Sequence, residues 1–556
     1  MKVRRSTGVR VGVFVAAVAL LAVACGGSSK SSSGGGGGSG GSGGTTAADT
    51  GTPKPGGHLI MGTEAEIDGF DPTSNRWDVT GFMYGTTVYD PLAAFGKDNK
   101  VHPYLAQSIT HSADYKTWTI KLRPNVTFSN GDPLTADDVV TDLTAIKNAP
   151  LTGHVLDPMN NVTKVDDLTA NVNMNQPWVA FPAYLVGQTG VVFDPKMLQD
   201  PNRSQHPIGT GPFILKEWIP GNHFIATKNP NYWQKGLPYL DSVEFRPIIE
   251  TQSRENSLLS GTIDMFHSSD PQTIVDLKGN SKVKYITDQG VPAETEEDLY
   301  MINTAKPPFD DVILRQAVAY ATDRTKYNNV INFGVTPDST GPFGNTGSRF
   351  HAPTGYPNYD LAKAKSLVKQ YEQKHGVSSV NFELGVTNTG RSLQAAQLLQ
   401  DMWKQAGMNA SIKQVEQSQF ILLALQGSYQ IYGWRQFGEP DPDADFIWWS
   451  STTALPIGQL ALNFSRNKDP QIDADLEKGR TSPNEADRIA AYQDIARRLA
   501  IDLPFIWTNE AVWQIAYKPN VHGIVTWTLP DGSPGVDHTL GIPSGGAFIM
   551  SHVWMG

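Results

Sequence analysis

The sequence predicts an α/β fold, in which strands and helices alternate along the chain and pack in layers. Residues 116–140 ("KTWTIKLRPNVTFSNGDPLTADDVV") read as a strand, a tight turn and a helix. Residues 381–416 read as a strand, a helix and a second strand, and residues 482–517 read as a helix followed by two strands. Strands that are joined through crossover helices are typical of α/β proteins, so we expect this class.

The first of these stretches carries its local signals in full. Polar and apolar residues alternate over residues 117–122, as they do in a half-buried strand. Asn130 and Gly131 supply a tight turn. Thr135 stands three residues before Asp138, which is a variant of the capping box and predicts a helix that begins there.

The remaining elements are predicted from similar signals. They are a strand at 58–64, paired strands at 210–218 and 223–233, a helix that stops at Gly261, and a helix at 309–331 capped by Asp310. The helix of the 381–416 unit has the buried face Ala395, Leu398, Leu399, Met402 and Ala406, with Gly407 just beyond its end. We expect the last long helix to be capped by Ser482, with Pro483 at its first position.

Residues 1–24 read as an export signal. Four basic residues precede an apolar stretch over residues 11–24, which is too short to cross a bilayer as a helix of ~20 residues but suits a signal core. The run "LAVAC" ends at Cys25, the only cysteine of the chain, and resembles the lipobox of bacterial lipoproteins. This resemblance implies that Cys25 is lipidated and becomes the new N-terminus. A chance cysteine behind an ordinary signal is the alternative.

Residues 25–57 are mostly Gly, Ser and Thr, and predict a flexible tether that buries nothing. The remaining ~500 residues are enough for two or three domains. The formal charge is −10, and removal of the leader's four positive charges takes it to −14. A net acidic body without a stripe of Lys and Arg argues against a nucleic-acid partner.

Five stretches resemble family 5 of the bacterial extracellular solute-binding proteins, the oligopeptide, dipeptide and nickel receptors of ABC importers. They are residues 118–140, 207–221, 229–248, 301–324 and 438–446. They occur in the order that the family has, behind a lipobox and a tether, and span nearly the whole mature chain.

The resemblance implies a periplasmic-binding-protein-like fold of type II, similar to cluster C, with two lobes, a hinge and an extra inserted subdomain. Lobe I would comprise residues 58–90, 201–294 and 504–556, the inserted subdomain 91–200, and the other lobe 295–503. The chain would cross between the lobes near 294–299 and 503–505. The ligand would lie in the cleft between the lobes, where solute sites commonly occur.

The implied function is that of a lipid-anchored receptor at the outer face of the cytoplasmic membrane. It would capture a peptide or another small polar solute by hinge closure, and deliver it to ABC permease and ATPase subunits. We expect a monomer that has no cofactor, no metal and no catalytic activity.

The best ligand-binding candidates lie in the loop that contains Trp434, Arg435 and Gln436. In peptide-binding relatives a Trp begins this loop, and an Asp four residues before a Pro pairs with the α-ammonium group of the peptide. Trp434 matches the Trp, but Gln436 occupies the Asp position, and a neutral amide cannot form that charge-assisted bond. Either Glu439 or Asp441 replaces the Asp, or the ligand is neutral or anionic with Arg435 as its partner. The structural alternative is that Trp434 packs at a lobe edge and Arg435 is solvated.

Four further candidates come from other segments. Trp77 and Asp78 lie in a loop that faces the cleft in relatives, where Trp77 would stack on the ligand. Asn303 would present its amide at the mouth of the second lobe, and Arg391 would act near the backbone N–H groups at a helix start. The alternatives are a Trp that covers its own loop, an Asn that stabilises a turn, and an Arg with a capping or surface role.

The metal and catalytic alternatives have weaker support. Asp441, Asp443 and Asp445 resemble the start of a calcium loop, but Phe446 and Thr452 occupy the positions that need Gly and Glu. We therefore expect a solvated or helix-capping turn there. The twelve His residues are scattered, which argues against a zinc hydrolase and less firmly against nickel binding. A surface sensor or adhesin on the same fold, and a secreted hydrolase, are the rival functions; turnover of a candidate ligand would identify the hydrolase.

Overall fold

The structure is a computed structural model that describes residues 51–75, 77–98, 100–149, 153–288, 296–344, 348–436, 438, 441–524, 527–535 and 550–556. The predicted leader, Cys25 and most of the predicted tether lie outside these residues. Among the helices that are described, none is long and apolar enough to cross a membrane.

The strands, numbered in chain order, are β1 (His58–Thr63), β2 (Ala93–Phe95), β3 (Val101–Pro103), β4 (Ala106–His111), β5 (Thr117–Leu122), β6 (Met159–Asp166), β7 (Thr169–Met174), β8 (Phe213–Ile219), β9 (His223–Lys228), β10 (Ser242–Pro247), β11 (Met265–Ser268), β12 (Lys284–Thr287), β13 (Glu297–Ile302), β14 (Val380–Thr387), β15 (Met408–Val415), β16 (Ile431–Gln436), β17 (Phe505–Glu510), β18 (Gln514–Tyr517), β19 (Val521–His522) and β20 (Trp554–Met555).

The α-helices are α1 (Val79–Val88), α2 (Ala136–Lys147), α3 (Phe181–Tyr184), α4 (Thr251–Ser260), α5 (Pro271–Leu277), α6 (Val312–Ala321), α7 (Arg324–Ile331), α8 (Leu361–His375), α9 (Gly390–Gln405), α10 (Gln417–Gln426), α11 (Phe446–Trp449), α12 (Pro470–Thr481) and α13 (Glu485–Asp502).

A seven-stranded sheet has the strand order β12-β18-β11-β1-β10-β9-β8. Its centre is parallel, because β1 pairs with β10 on one side and with β11 on the other. The outer strands are antiparallel to their neighbours. The strand β18 therefore returns from the C-terminal part of the chain to the sheet that β1 begins.

A five-stranded sheet has the order β15-β14-β16-β13-β17. The helix α9 connects the parallel strands β14 and β15, and its residues Ala395, Leu399 and Met402 are buried. Gly385 of β14 leaves room for the ring of Tyr432 on the neighbouring strand, since a Cβ atom at Gly385 would lie 2.1 Å from that ring. Packing across this sheet therefore depends on the absence of a side chain at Gly385.

Residues 91–200 carry a four-stranded antiparallel sheet in the order β4-β5-β7-β6, together with the short pair β2 and β3. The helix α2 covers this sheet with the buried residues Val139, Leu143 and Ile146. One continuous apolar core joins the four-stranded and seven-stranded sheets, and a separate core surrounds the five-stranded sheet.

Predicted elements are confirmed where the local signals are strong. The carboxylate of Asp138 accepts a hydrogen bond from the backbone N–H of Thr135 at 2.7 Å, at the start of α2. Gly261 ends α4 in the left-handed conformation, with φ of 86°. The strands β8 and β9 pair antiparallel, and α9 connects two parallel strands as predicted.

The helix that was predicted over residues 309–331 differs from the observed structure in two ways. Asp311, rather than Asp310, caps α6. The helix also divides at Thr322, and Asp323 caps a second helix, α7. Neighbouring Asp side chains can all accept a capping bond, so the pattern alone did not decide which of them does.

The last long helix begins later than predicted. Asn484 caps α13 and accepts a bond from the N–H of Ala486 at 2.9 Å, so Ser482 is not its cap. Ser482 instead ends the preceding helix α12. Ser and Asn are similarly good capping residues, and both precede the same apolar pattern.

The chain also returns to the seven-stranded sheet later than predicted. The strand β17 pairs with β13 and so belongs to the five-stranded sheet, and β18 is the first strand back. The crossing therefore lies between Glu510 and Gln514 rather than near residues 503–505. Two successive apolar strands carry no local signal for the sheet that each joins, because distant partners decide the pairing.

Asp443 joins the segment behind β7 to the core around the five-stranded sheet. It is fully buried, and its carboxylate accepts bonds from Trp178 Nε1 at 2.6 Å, Tyr184 Oη at 3.0 Å and Arg480 Nε at 2.8 Å. The guanidinium of Arg480 also lies 3.7 Å from the ring centroid of Phe446. Removal of the carboxylate would leave a buried and unpaired cation.

We expect Asp443→Ala to lower the free energy of unfolding by about 3–5 kcal/mol, because one partner of a buried ion pair is lost. Urea denaturation followed by circular dichroism measures this quantity. The matched control is Glu485→Ala, whose side chain is 66% exposed and pairs with Arg349 at 3.0 Å. The control should change stability by about 1 kcal/mol or less. Equal losses in the two variants would contradict the role assigned to Asp443.

Candidate functional site

A cavity of about 1150 Å³ is lined by residues from both large sheets. Glu64 follows β1 and Ser269 follows β11 in the seven-stranded sheet, whereas Asp298 of β13 and Trp434 of β16 belong to the five-stranded sheet. Small-molecule sites commonly measure ~300–1,000 Å³. The cavity is therefore large enough for an organic solute rather than a lone ion.

Arg435 is the centre of a charged cluster at this cavity. Its Nε atom lies 3.0 Å from Asp298 Oδ1, and its Nη1 atom lies 3.3 Å from Glu296 Oε2. The same Nη1 donates to Ser269 Oγ at 3.3 Å, and the guanidinium lies 5.5 Å from the ring centroid of Trp513. Arg435 thus connects a strand of the five-stranded sheet to the loop that follows β11.

Burial opposes the charge on both Arg435 and Glu296, with different outcomes. For Arg435, the carboxyl groups of Asp298, Glu296 and Glu64 outweigh burial and raise its pKa. For Glu296, burial raises the pKa to about 8, and the charge of Arg435 offsets only part of this effect. Asp298 is the more exposed and closer partner of Arg435, so Glu296 carries a proton at neutral pH.

Two further arginines line the described part of the cavity, and both are engaged by protein oxygens. Arg391 of α9 lies 3.4 Å from Asp270, which precedes α5 near the seven-stranded sheet. Arg254 donates to two backbone carbonyls behind β10 at 2.6 and 2.7 Å and lies 4.0 Å from Glu64. Arg391 and Arg435 therefore both contact residues that follow β11.

We name residues 64–75, 77 and 78 the acidic loop, because Glu64, Glu66, Asp68 and Asp78 of this loop all line the cavity. Asp78 caps α1 by accepting a bond from the N–H of Gly81 at 2.9 Å. Its side chain is exposed to the cavity. The surrounding protein still limits its hydration and raises its pKa, and the charge of Asp68 adds to this increase.

Trp77 packs into the protein more than it faces the cavity. It is 8% exposed, and its Nε1 donates to the carbonyl of Gly69 at 3.1 Å. Its ring lies against Gly81 and Gly85, where a Cβ atom would come within 2.8 and 2.5 Å of Trp77. Residues four apart share one face of a helix, so these glycines form the groove of α1 that anchors the acidic loop.

We name Phe420, Trp434, Trp448 and Phe464 the aromatic wall, since all four line the cavity. Trp434 lies nearly parallel to Phe420, with ring centroids 5.7 Å apart, and edge-on to Phe464 at 5.2 Å. Trp448 lies 5.3 Å from Phe464. Trp434 and Trp448 are only half-buried, so their rings leave apolar surface for a solute.

The structure places the remaining predicted residues as follows. Gln436 lines the cavity but is buried, and its amide donates to Asp445 Oδ1. Asn303 is not among the cavity-lining residues; it is fully buried, and its amide donates to the carbonyl of Gly427 at 2.9 Å. Asn303 therefore fixes the backbone of a turn, and the prediction that it faces the ligand does not match its position.

Sequence reasoning missed Glu64, Asp298, Trp448 and Phe464. The run "EAEID", which begins at the last residue of the first predicted strand, was a usable signal for Glu64, because loops at strand ends border clefts in α/β proteins. No local signal marks the aromatic wall. Its members come from separate elements between residues 420 and 464 and meet only in the folded chain.

The carboxyl groups of the three-Asp segment are engaged by protein groups. Asp441 caps a short 3₁₀ turn and lies 2.5 Å from Arg488, and Asp443 is engaged as described above. Within the described part of the chain, no group of three or more His, Cys, Asp or Glu residues is arranged to hold a metal ion.

Comparison with known proteins places this cavity in context. The family model described as "Bacterial extracellular solute-binding proteins, family 5 Middle" matches residues 100–455. The glutathione-binding protein GsiB of Pectobacterium atrosepticum is 27% identical over 437 residues, which cover 76% of this chain and 82% of that protein. The nickel-binding periplasmic protein of Escherichia coli is 26% identical over 464 residues, which cover 79% of this chain and 86% of that protein.

Solved structures show the same fold. The oligopeptide-binding protein AppA of Bacillus subtilis, in complex with a nonapeptide, matches with a TM-score of 0.76 and 20% identity. The match covers 91% of this chain and 100% of AppA. The predicted α/β fold class, similar to that of periplasmic binding proteins, is confirmed by this likeness.

We expect Glu296→Gln to remove a pH-dependent loss of stability. The folded protein holds the Glu296 proton up to about pH 8, whereas the ordinary pKa of 4.5 applies to the unfolded chain. The unfolded state thus binds fewer protons in this window, so the wild type loses stability as the pH rises from about 4.5 to 8. The Gln variant has no such group. The melting temperature of the wild type relative to the variant should fall by about 2 °C or more across the window.

The measurement is differential scanning calorimetry at several pH values, with Glu485→Gln as an exposed control. A constant difference between the wild type and Glu296→Gln from pH 5 to 8 would show that Glu296 is already ionised at the lower pH.

Proposed function

Because the chain belongs to family 5 of the bacterial extracellular solute-binding proteins, we propose that it is the solute receptor of an ABC importer. The observation that carries this proposal is the cavity of about 1150 Å³, lined by residues of both large sheets. A solute in this cavity would contact groups of both sheets, and a receptor needs only to bind and enclose it, without a catalytic group. The relatives named above bind glutathione, nickel or peptide, and this range fits a receptor for a small solute.

We propose that capture proceeds by closure of two lobes over the solute. One lobe would contain the seven-stranded sheet and the other the five-stranded sheet, with the segment 91–200 as an inserted subdomain. The chain passes from β17 to β18 within three residues, Ala511–Trp513, which would form part of the hinge. A solute that binds both walls has higher affinity for the closed arrangement and shifts the population toward it.

We propose further that the receptor is anchored to the outer face of the cytoplasmic membrane through Cys25. The run "LAVAC" that ends at Cys25 supports this proposal, because it resembles a lipobox. A lipoprotein cysteine carries a diacylglyceryl group, and its two acyl chains are enough for stable anchoring, whereas one chain is not. The tether would hold the body close to its permease and ATPase partners, which raises its effective concentration there.

Closure predicts a change in distance between the two sheets. Spin labels at Lys278→Cys, behind α5, and Lys413→Cys, in β15, would be introduced into a Cys25→Ser background; both lysines are exposed. Native mass spectrometry of gently extracted protein first identifies the co-purified solute, and the solute is then removed by partial unfolding and refolding. Adding it back should shorten the distance between the labels and raise the melting temperature.

The control is the label pair Lys216→Cys and Lys278→Cys, both on the seven-stranded sheet side, whose distance should not change. A solute that raises the melting temperature without altering the first distance would contradict closure while leaving solute binding intact.

The anchor is tested independently of the cavity. We expect the wild type to incorporate labelled palmitate and to fractionate with membranes, and we expect Cys25→Ser to do neither, because the acylated sulfur is absent. Ser32→Ala, in the same tract, should behave as the wild type. A membrane-bound Cys25→Ser protein would contradict the proposed anchor.

A further inference from the structure

The two sides of the cavity differ in chemistry, and this difference identifies the class of solute that the proposed receptor would take. The inference rests on the proposed function, since it assumes that this cavity is the solute site. The acidic loop follows β1 of the seven-stranded sheet, whereas the aromatic wall belongs to the core around the five-stranded sheet. One side thus offers negative charge and the other offers apolar rings.

The described lining of the cavity carries eight carboxyl groups, of which that of Glu296 is protonated, against three guanidinium groups. The guanidinium groups belong to Arg254, Arg391 and Arg435, and each already contacts a carboxyl or carbonyl oxygen of the protein at 3.4 Å or less. An anionic solute would have to displace these contacts. A cleft lined mainly by one sign of charge concentrates ligands of the opposite sign, so the cavity favours a cation.

The carboxyl groups of the acidic loop are close enough to act on one another. Burial raises the pKa of Glu64, and the charge of Asp78 adds to the increase; Asp68 acts on Asp78 in the same way. Nearby, Glu296 is fully buried and lines the cavity, and its Oε1 has no hydrogen-bond partner among the described residues, so this protonated carboxyl group offers a polar atom rather than a charge. The like charges of the acidic loop are held together in one cavity, and a bound cation relieves their repulsion.

The aromatic wall provides the second contact. Its rings are fixed by one another, with centroid separations of 5.2 to 5.7 Å, so little side-chain entropy is lost when a solute packs on them. Within residues 417–464, most of the cavity lining is apolar, including Ile421, Leu425 and Leu462. Such a surface selects a bulky apolar or aromatic group and gains nothing from a small polar one.

We propose that the solute is an amphipathic organic cation, whose positively charged nitrogen binds at Glu64, Asp68 and Asp78 and whose bulky apolar or aromatic part packs on the aromatic wall. A free metal ion would lack the second contact. A free carboxylate or phosphate would meet the excess of negative charge.

A set of matched tripeptides tests both halves of this inference. The probe is Ala-Phe-Ala amide, which has a cationic N-terminus and one aromatic ring. N-acetyl-Ala-Phe-Ala amide removes the charge, Ala-Ala-Ala amide removes the ring, and N-acetyl-Ala-Phe-Ala carries a negative charge instead. Isothermal titration calorimetry on the full folded body should show the tightest binding for the probe. Each neutral or ring-free analogue should bind about tenfold more weakly, as expected for loss of a charge-assisted bond or of aromatic burial.

Two variants connect the preference to the residues. Asp78→Asn removes the charge but keeps a side chain that caps α1 equally well, so it should weaken the probe about tenfold and leave the acetylated amide unchanged. Trp448→Leu should weaken the probe and the acetylated amide equally, and leave the ring-free analogue unchanged. Glu485→Gln, on the exposed surface, serves as the control and should alter none of the affinities.

The inference is overturned if the anionic or acetylated peptide binds as tightly as the probe, or if Asp78→Asn weakens charged and uncharged probes alike. It is also overturned if no peptide of the set binds while native mass spectrometry finds a solute that lacks a cationic nitrogen or a bulky apolar group. That last result would leave the receptor function standing. If no solute is ever found with the protein and none changes its melting temperature, the receptor function itself fails.

Discussion

The arrangement of this cavity depends on how one guanidinium, that of Arg435, is held. Asp298 neutralises it from its own side, where the protonated Glu296 lies 3.3 Å away, and Ser269 accepts a hydrogen bond from it in the loop behind β11. Arg435 and Asp298 are direct partners in the pairing of β16 with β13, so the contact between the half-buried guanidinium and the carboxylate requires that this register is kept. The contact with Ser269 and that between Arg391 and Asp270 join the two sheets, in addition to the contacts of Asp443 with Trp178 and Tyr184.

The same pairing determines what the cavity offers to a solute. Arginines that are neutralised by the protein cannot also serve as the main partners of an anionic solute. The remaining carboxyl groups lie on the acidic loop, whose position depends on Trp77 packing against Gly81 and Gly85. A residue that resembled a stacking platform thus acts mainly as an anchor, and its neighbour Asp78 faces the cavity. The charge of the site is a property of both sheets together rather than of any single motif.

Much of the fold could be predicted from the sequence, because caps, turns and periodic apolar faces are local. The capping pair Thr135 and Asp138 and the stop at Gly261 are examples. The assignment of β17 to its sheet could not be predicted, because two similar apolar strands follow one another and only distant partners distinguish them. The site shows the same division. Trp434 and Asp78 were predicted from their loops. The aromatic wall, in contrast, consists of rings from four separate elements or loops, and no local sequence pattern around any one ring indicates that the others lie beside it.

The presence of Gln436 in place of the Asp affects which solutes would favour the proposed closure. In peptide-binding relatives the acidic partner of the α-ammonium lies in the same loop as the Trp, so one side of the cavity supplies both contacts. Here the Gln436 amide is bonded to Asp445, and the carboxyl groups of the acidic loop lie behind β1, in the other sheet. Charge and apolar surface are therefore divided between the two sides. A solute with only one of these features gains contacts on one side and has little preference for the closed arrangement. A solute with both would bridge the cavity, and its binding free energy would then favour the proposed closure directly.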